Sequence, residues 1–369
     1  MDQLNKRIAI ITAVFFAVSM SAIVYLSTTR TVVISDVVQD EVITQALKSD
    51  GELNGTNDDS LNANISDGVE NAGTKALDDN ALSFSNDMEN TEYLCIPLPV
   101  KTDPESIVIE NHYMDSELYV VLKDAAADFY RENSISGNRE PIESGCIEAS
   151  DRGVRLKFNV KGLYEYKSIM ENDVLYISYY TPRELYNRIV VIDAACGGQD
   201  TGISQFGYNE KDITLNIVRE LKERLDESGI KTYYTRMDDV NPSDEVRISL
   251  ANAAKADAYI RVEVSEDEDT SRYGITAVYN GDYFIPGFGN VELADILEKE
   301  ITTAVKGRAI GLVESDTEDY TLLHSTVPSA IVKVGYLSNE EEASLLGRTD
   351  YVSKIADGIF NGIMSMYEE

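Results

Sequence analysis

The side chains whose types and spacing suggest chemistry are Asp193, Cys196 and Asp200, all inside IVVIDAACGGQDTG, residues 189–202. A thiol in such a loop reads first as a nucleophile, which needs a base beside it and an oxyanion hole. The chain has only two histidines, His112 and His324, and neither is placed to serve. Lys333 is the remaining candidate base. It stands alone among the apolar residues of SAIVKVGYL, where a lone charge needs an acidic partner. Nothing else supports a cysteine hydrolase, and the plainer reading of Cys196 is a small residue in a Gly-rich loop.

The elements that must position these residues follow from periodicity. Ile189 to Asp193 reads as a buried strand, and the loop after a strand's carboxyl end is where ligands bind in open α/β sheets. KDITLNIVRELKERLDESG carries Ile213, Ile217, Leu221 and Leu225 at i+4 steps, with Gly229 in the helix-ending position. IKTYYTR, AYIRVEV, GITAVYN and SAIVKVGYL read as strands. SDEVRISLANAAKA is a helix with Ser243 as N-cap, and VELADILEKEITTAV, EEASLLG and YVSKIADGIFNGIMSMY are helices. Strands alternating with helices predict an α/β domain over 187–369, its sheet mostly parallel and covered by helices on both faces.

The rest of the chain divides by composition. Ile8 to Leu26 is 19 residues without charge behind Lys6 and Arg7, enough to cross a hydrocarbon core of about 30 Å. That predicts a transmembrane anchor within 1–30, N-terminus cytoplasmic and the bulk of the chain outside; a cleaved signal peptide with Ser19-Met-Ser21 is the alternative. Residues 36–92 hold fourteen acids against two bases, so 31–92 reads as an acidic disordered linker. From Tyr93, YLCIPLPV, SIVIENHY, SELYVVLKD, GVRLKFNV and DVLYISYY read as short strands of a small β-rich module, 93–186. Its tyrosines, 164, 166, 176, 179 and 180 among them, suit a packed sheet more than a carbohydrate-binding face. His112 reads as a surface-turn residue.

The formal charge of −33, from 32 Lys and Arg against 65 Asp and Glu, excludes nucleic acid as a partner and disfavours an anionic membrane surface. Three widely spaced cysteines, 95, 146 and 196, are no disulfide framework; Cys95 and Cys146 read as a pair or as two buried thiols.

A set of separated signals runs in order through the C-terminal half. It comprises VVIDA…GGQDTG, NEKDITLNI, Thr235-Arg236, Arg247 with Ala251-Asn252, Ala256-Asp257, Leu293-Ala294 and VGYLSN, residues 334–339. In these the chain resembles the zinc-dependent N-acetylmuramoyl-L-alanine amidases of bacterial cell-wall turnover. The β-rich module stands where such proteins often carry a wall-binding, AMIN-like domain.

The resemblance implies a zinc site of His, Glu and His, with a second Glu as general base. By position these fall on Cys196, Glu210, Glu263 and Lys333, so three of the four are replaced and only Glu210 matches. A thiolate and two carboxylates would blunt the Lewis acidity of zinc, and a lysine cannot take a proton from its bound water. Lys333 is therefore expected to stand in for the metal's charge, pairing with Glu210 and Glu263, with zinc absent or weakly held. The plainer readings are an acid at a helix N-terminus for Glu210 and an exposed strand end for Glu263. His324 lies where the family has no ligand.

Together these predict a membrane-anchored, extracytoplasmic protein of the bacterial envelope with an impaired amidase-like domain, binding peptidoglycan or envelope proteins such as a partner hydrolase. The alternative is an active amidase cleaving the bond between N-acetylmuramic acid and L-alanine, with Cys196, Glu210 and Glu263 as unusual ligands.

Overall fold

A computed structural model describes residues 32–34, 37–38, 80–85, 92–150, 153–316 and 319–368. The expected anchor, 8–26, and most of the expected linker lie outside the described residues. Among the described residues, no helix is long and apolar enough to cross a membrane. Two compact units divide the chain. Among the described residues, the first takes those up to 112 with those in 117–161 and 166–179, and the second takes those in 113–116, 162–165 and 180–368.

The first unit is β-rich, as its alternating segments require. One five-stranded sheet contains Leu94–Pro97, Glu165–Glu171 and Val174–Tyr180; the other contains Ile107–His112, Glu117–Leu122, Ile142–Ser150 and Gly153–Val160. Glu165–Glu171 and Ile142–Ser150 were not legible, because polar and charged residues break their alternation. The paired backbone also reaches outside 93–186. Leu82 is buried and donates its N–H to the Gly145 carbonyl at 2.9 Å, and residues 32–34 pair antiparallel with 168–170. These pairings depend on partners far along the chain, which composition cannot reveal. Tyr166 and Tyr179 pack edge to face at 5.7 Å, as do Tyr93 and Tyr176 at 6.0 Å. His112 closes a strand rather than a turn, its Nε2 3.1 Å from Glu110. All three cysteines are free thiols.

The second unit is the α/β domain. Its main sheet is built from β1 (Ile189–Ala194), β2 (Lys231–Tyr234), β3 (Ala258–Ser265), β4 (Ile275–Tyr279), β5 (Ala309–Glu314) and β6 (Ser329–Tyr336). After the first of these strands come the helices α1 (Glu210–Asp226), α2 (Asp244–Ala254), α3 (Asn290–Val305), α4 (Tyr320–Leu323), α5 (Glu340–Leu346) and α6 (Thr349–Met366). The sheet order is β2-β1-β3-β6-β4-β5, parallel except for the β4–β6 pair.

Strand side chains alternate between the faces. Val190, Ile192, Ala258, Ile260, Val262, Ala330 and Val332 join a core with α1, α3 and α6. Ile189, Val191 and Tyr259 turn the other way, onto Ile248, Ala251 and Ala254 of α2. Ile213, Ile217, Leu221 and Leu225 of α1 are buried as their spacing predicts, and Ser243 caps α2 by accepting from the Val246 N–H. This alternation sends Asp193, Arg261, Glu263 and Lys333 to the α2 face, near the carboxyl ends of β1, β3 and β6.

Candidate functional site

The loop after β1 reverses tightly. Cys196 itself has φ 61°, and Gly197 and Gly202 follow with positive φ. A Cβ on Gly197 would lie 2.0 Å from the Val240 carbonyl. One on Gly202 would lie 2.5 Å from Glu210 Oε2 and 2.6 Å from Cys196 Sγ. Glycine at 202 is therefore what allows Cys196 and Glu210 to flank the same point. Burial, then the carboxylates of Glu210 and Asp200, push the Cys196 thiol up to about 12. Asp200 is exposed, and its Oδ1 accepts from the Gly202 N–H at 3.0 Å, a turn role.

Glu210 opens α1 and is buried. Its Oε2 accepts from the Ile203 N–H at 3.1 Å and its Oε1 from the Val264 N–H at 3.0 Å. Burial raises its pKa, and the two backbone donors offset this only in part. The expected pairing of Lys333 with Glu210 is therefore not what forms: both Glu210 oxygens are turned to backbone amides.

Glu263 and Lys333 do meet. They are register partners across β3 and β6, with Lys333 Nζ 3.8 Å from Glu263 Oε2. The stronger partner of Glu263 is one that the sequence reading passed over. Arg261 Nε donates to Glu263 Oε1 at 2.8 Å, and Arg261 Nη1 donates to Asp244 at 2.6 Å and lies 3.4 Å from Asp193 Oδ2. The signal was present in AYIRVEV, where Arg261 is as isolated among apolar residues as Lys333.

Asp193 anchors the buried end of this row. It is fully buried and accepts from Arg247, Thr235 and Tyr259. Burial alone would raise its pKa, but the Arg261 and Arg247 guanidiniums and the two hydroxyls hold it below the ordinary value. Arg247 also ties down the loop, donating to the carbonyls of Ala194 at 2.8 Å and Cys196 at 2.9 Å. Asn252 works elsewhere, bonding the His324 carbonyl and the Thr326 N–H at 2.9 Å each. Ser338 accepts from the Asp267 N–H, and Asn339 caps α5. His324 is exposed and stacks on Tyr320 at 3.9 Å, with no part in the row.

The four family positions thus lie near one another, but they do not make a zinc site. A catalytic zinc needs three ligand side chains free to turn toward it. Here Glu210 is spent on two amides, Glu263 on a guanidinium, and the cations Arg261 and Lys333 stand where a dication would be repelled. Among the described residues, no group of three His, Cys, Asp or Glu side chains gathers to hold a metal. A cleft of about 420 Å³ lined by Tyr208, Ile213, Leu346 and Val352 includes none of the four positions.

A mostly parallel sheet with a polar site at its carboxyl edge defines an α/β domain of the kind that binds ligands there. The family profile described as N-acetylmuramoyl-L-alanine amidase matches residues 190–365. The uncharacterized protein YqiI of Bacillus subtilis (strain 168) is 32% identical over 182 residues, 49% of this chain and 86% of that protein. The germination-specific N-acetylmuramoyl-L-alanine amidase of the same organism is 28% identical over 205 residues, covering 50% of this chain and 82% of that one. The crystal structure of N-acetylmuramoyl-L-alanine amidase from Clostridium difficile 630 is 28% identical, with a TM-score of 0.46, over 49% of this chain and 97% of that chain. The chain belongs, through its C-terminal half, to the N-acetylmuramoyl-L-alanine amidase family.

Proposed function

We propose that this is a noncatalytic amidase-like protein of the bacterial cell envelope. Residues 8–26 would anchor it in the cytoplasmic membrane with its bulk outside, and the amidase-like domain would bind peptidoglycan or a partner hydrolase rather than cut the wall. One observation carries the reading: at the edge of the sheet, Arg261 and Lys333 both face Glu263, at 2.8 and 3.8 Å. Water at neutral pH becomes a nucleophile on a metal that lowers its pKa and beside a base that takes its proton. Lys333 at the base position is a cation, and the neighbouring guanidinium already neutralises Glu263.

The test is zymography on peptidoglycan with the full-length chain, with and without added zinc. No cleared zone is expected in either lane. Clear lysis that disappears in Lys333→Ala would overturn the proposal in favour of an active amidase with Cys196, Glu210 and Glu263 as unusual ligands.

A further inference from the structure

We infer that β5, the open margin of the sheet, is where two copies of this chain join, strand against antiparallel strand about a twofold axis. The inference holds whether or not the domain cuts the wall, since β3, β6 and β4 separate β5 from the strand that leads into Cys196. The two margins of the sheet differ. At β2, the Tyr113 hydroxyl accepts from the Tyr234 N–H at 3.1 Å and donates to the Tyr234 carbonyl at 2.9 Å, which closes that edge. Among the described residues, β5 pairs with β4 alone. The Ser315 N–H donates to the Tyr279 carbonyl at 2.8 Å, toward β4. Backbone groups alternate sides along a strand, so those of Leu312 and Glu314 turn outward, where no described strand meets them.

Exposed edges are ordinarily guarded by charge, proline, a bulge or a covering element. Ala309 to Val313 holds neither charge nor proline, and Val313 is 46% exposed. The register slips once against β4, between Ala309 and Gly311, and then runs regularly to Glu314. An unguarded run of this kind is a template for another strand, which gains main-chain hydrogen bonds by adding to it.

The charges at the two ends of the strand choose the occupant. Residues 306–316 read KGRAIGLVESD, with Lys306 and Arg308 before the apolar run and Glu314 and Asp316 after it, all four exposed. Arg308 lies 5.2 Å over the Tyr273 ring, and Glu314 Oε1 accepts from the Tyr279 hydroxyl at 3.4 Å. A second copy laid antiparallel sets each basic end against an acidic end and the apolar run against itself; a parallel copy would set like against like. A twofold axis satisfies both ends at once. The net charge of −33 drives copies apart, but this segment is balanced, and exposed charges farther off are screened beyond about 8 Å at physiological salt. Because Tyr113 closes the other edge, the pairing stops at a dimer. Strands of 6 residues bury little, so the dimer is weak.

The experiment is sedimentation equilibrium of the full-length chain in detergent, over a concentration series reaching about 100 µM. A reversible dimer is expected. Lys306→Glu with Arg308→Glu, and separately Glu314→Lys with Asp316→Lys, should each weaken it about tenfold, because attractive ends become repulsive. Equal parts of these two double variants should form a mixed dimer, and all four changes in one chain should restore the dimer of the unchanged protein. Melting curves confirm that each variant folds. A monomer throughout the series, a dimer untouched by either double variant, or a loss that neither mixing nor the fourfold change repairs would each overturn the edge pairing. Zinc content and wall lysis bear on the noncatalytic reading and leave this outcome unaffected.

Discussion

Two kinds of carboxylate, buried or half-buried, stand within one domain. Glu210 and Glu342 are held by backbone amides: Glu210 by Ile203 and Val264, Glu342 by Gly274 and by Tyr336 at 2.7 Å. Asp193 and Glu263 are held by side-chain cations, Arg247, Arg261 and Lys333. Amide donors come from the chain's path, so a residue like Glu210 keeps its place whatever the neighbouring side chains are. Cation-held acids depend on the identity of their partners. The family position that is retained belongs to the first kind, and Glu263 and Lys333 belong to the second. A change of chemistry at the sheet edge can therefore leave the fold intact.

The comparison is broken most forcefully at the buried end of the row. Arg247→Met removes one of the two cations that hold the fully buried Asp193 and is expected to cost about 3 kcal/mol, read as a fall in the urea midpoint at unchanged slope. A cost near zero would mean that Asp193 does not rely on this cation.

The two kinds of acid should also bend the stability–pH curve in opposite directions. Asp193 has its pKa lowered in the fold, so its contribution is present above the ordinary 3.8 and is lost as pH falls through the folded value. Burial raises the pKa of Glu342, more than its backbone donors lower it. Its contribution is therefore present below the ordinary 4.5 and is lost as pH rises through the folded value. Asp193→Asn should flatten the acid limb of the curve, and Glu342→Gln should flatten the decline above it. Curves that merely shift in parallel would contradict the distinction.

The smallest effect is expected at the open end. Lys333→Met should change stability by about 0.5 kcal/mol or less, because its ion pair is long and partly exposed. A loss several times larger in chemical denaturation would make Lys333 a structural residue and blur the contrast between the two ends.

Much of the domain was legible from pattern alone. β1 declared itself by its apolar, β-branched run, α1 by its i+4 leucines and isoleucines, and α2 by the Ser243 cap. β5 was not seen, because AIGLVE is a short edge strand with a glycine inside it and half its residues exposed. The bonding of the site residues was not legible. The family resemblance, not spacing, singled out Cys196, Glu210, Glu263 and Lys333. It could not show that the amides of Ile203 and Val264 would claim Glu210, since backbone donors leave no trace in residue type. Arg261 was legible by the reasoning applied to Lys333, an isolated charge in a buried strand, and it carries the shorter bond to Glu263.

The central claim is that cations at the edge of the sheet have taken the place of a metal's charge. Equilibrium dialysis of the full-length chain against zinc, followed by elemental analysis, tests it most directly. The account predicts far less than one zinc per chain, with no change on adding a strong chelator. Stoichiometric zinc that leaves only under strong chelation would contradict it.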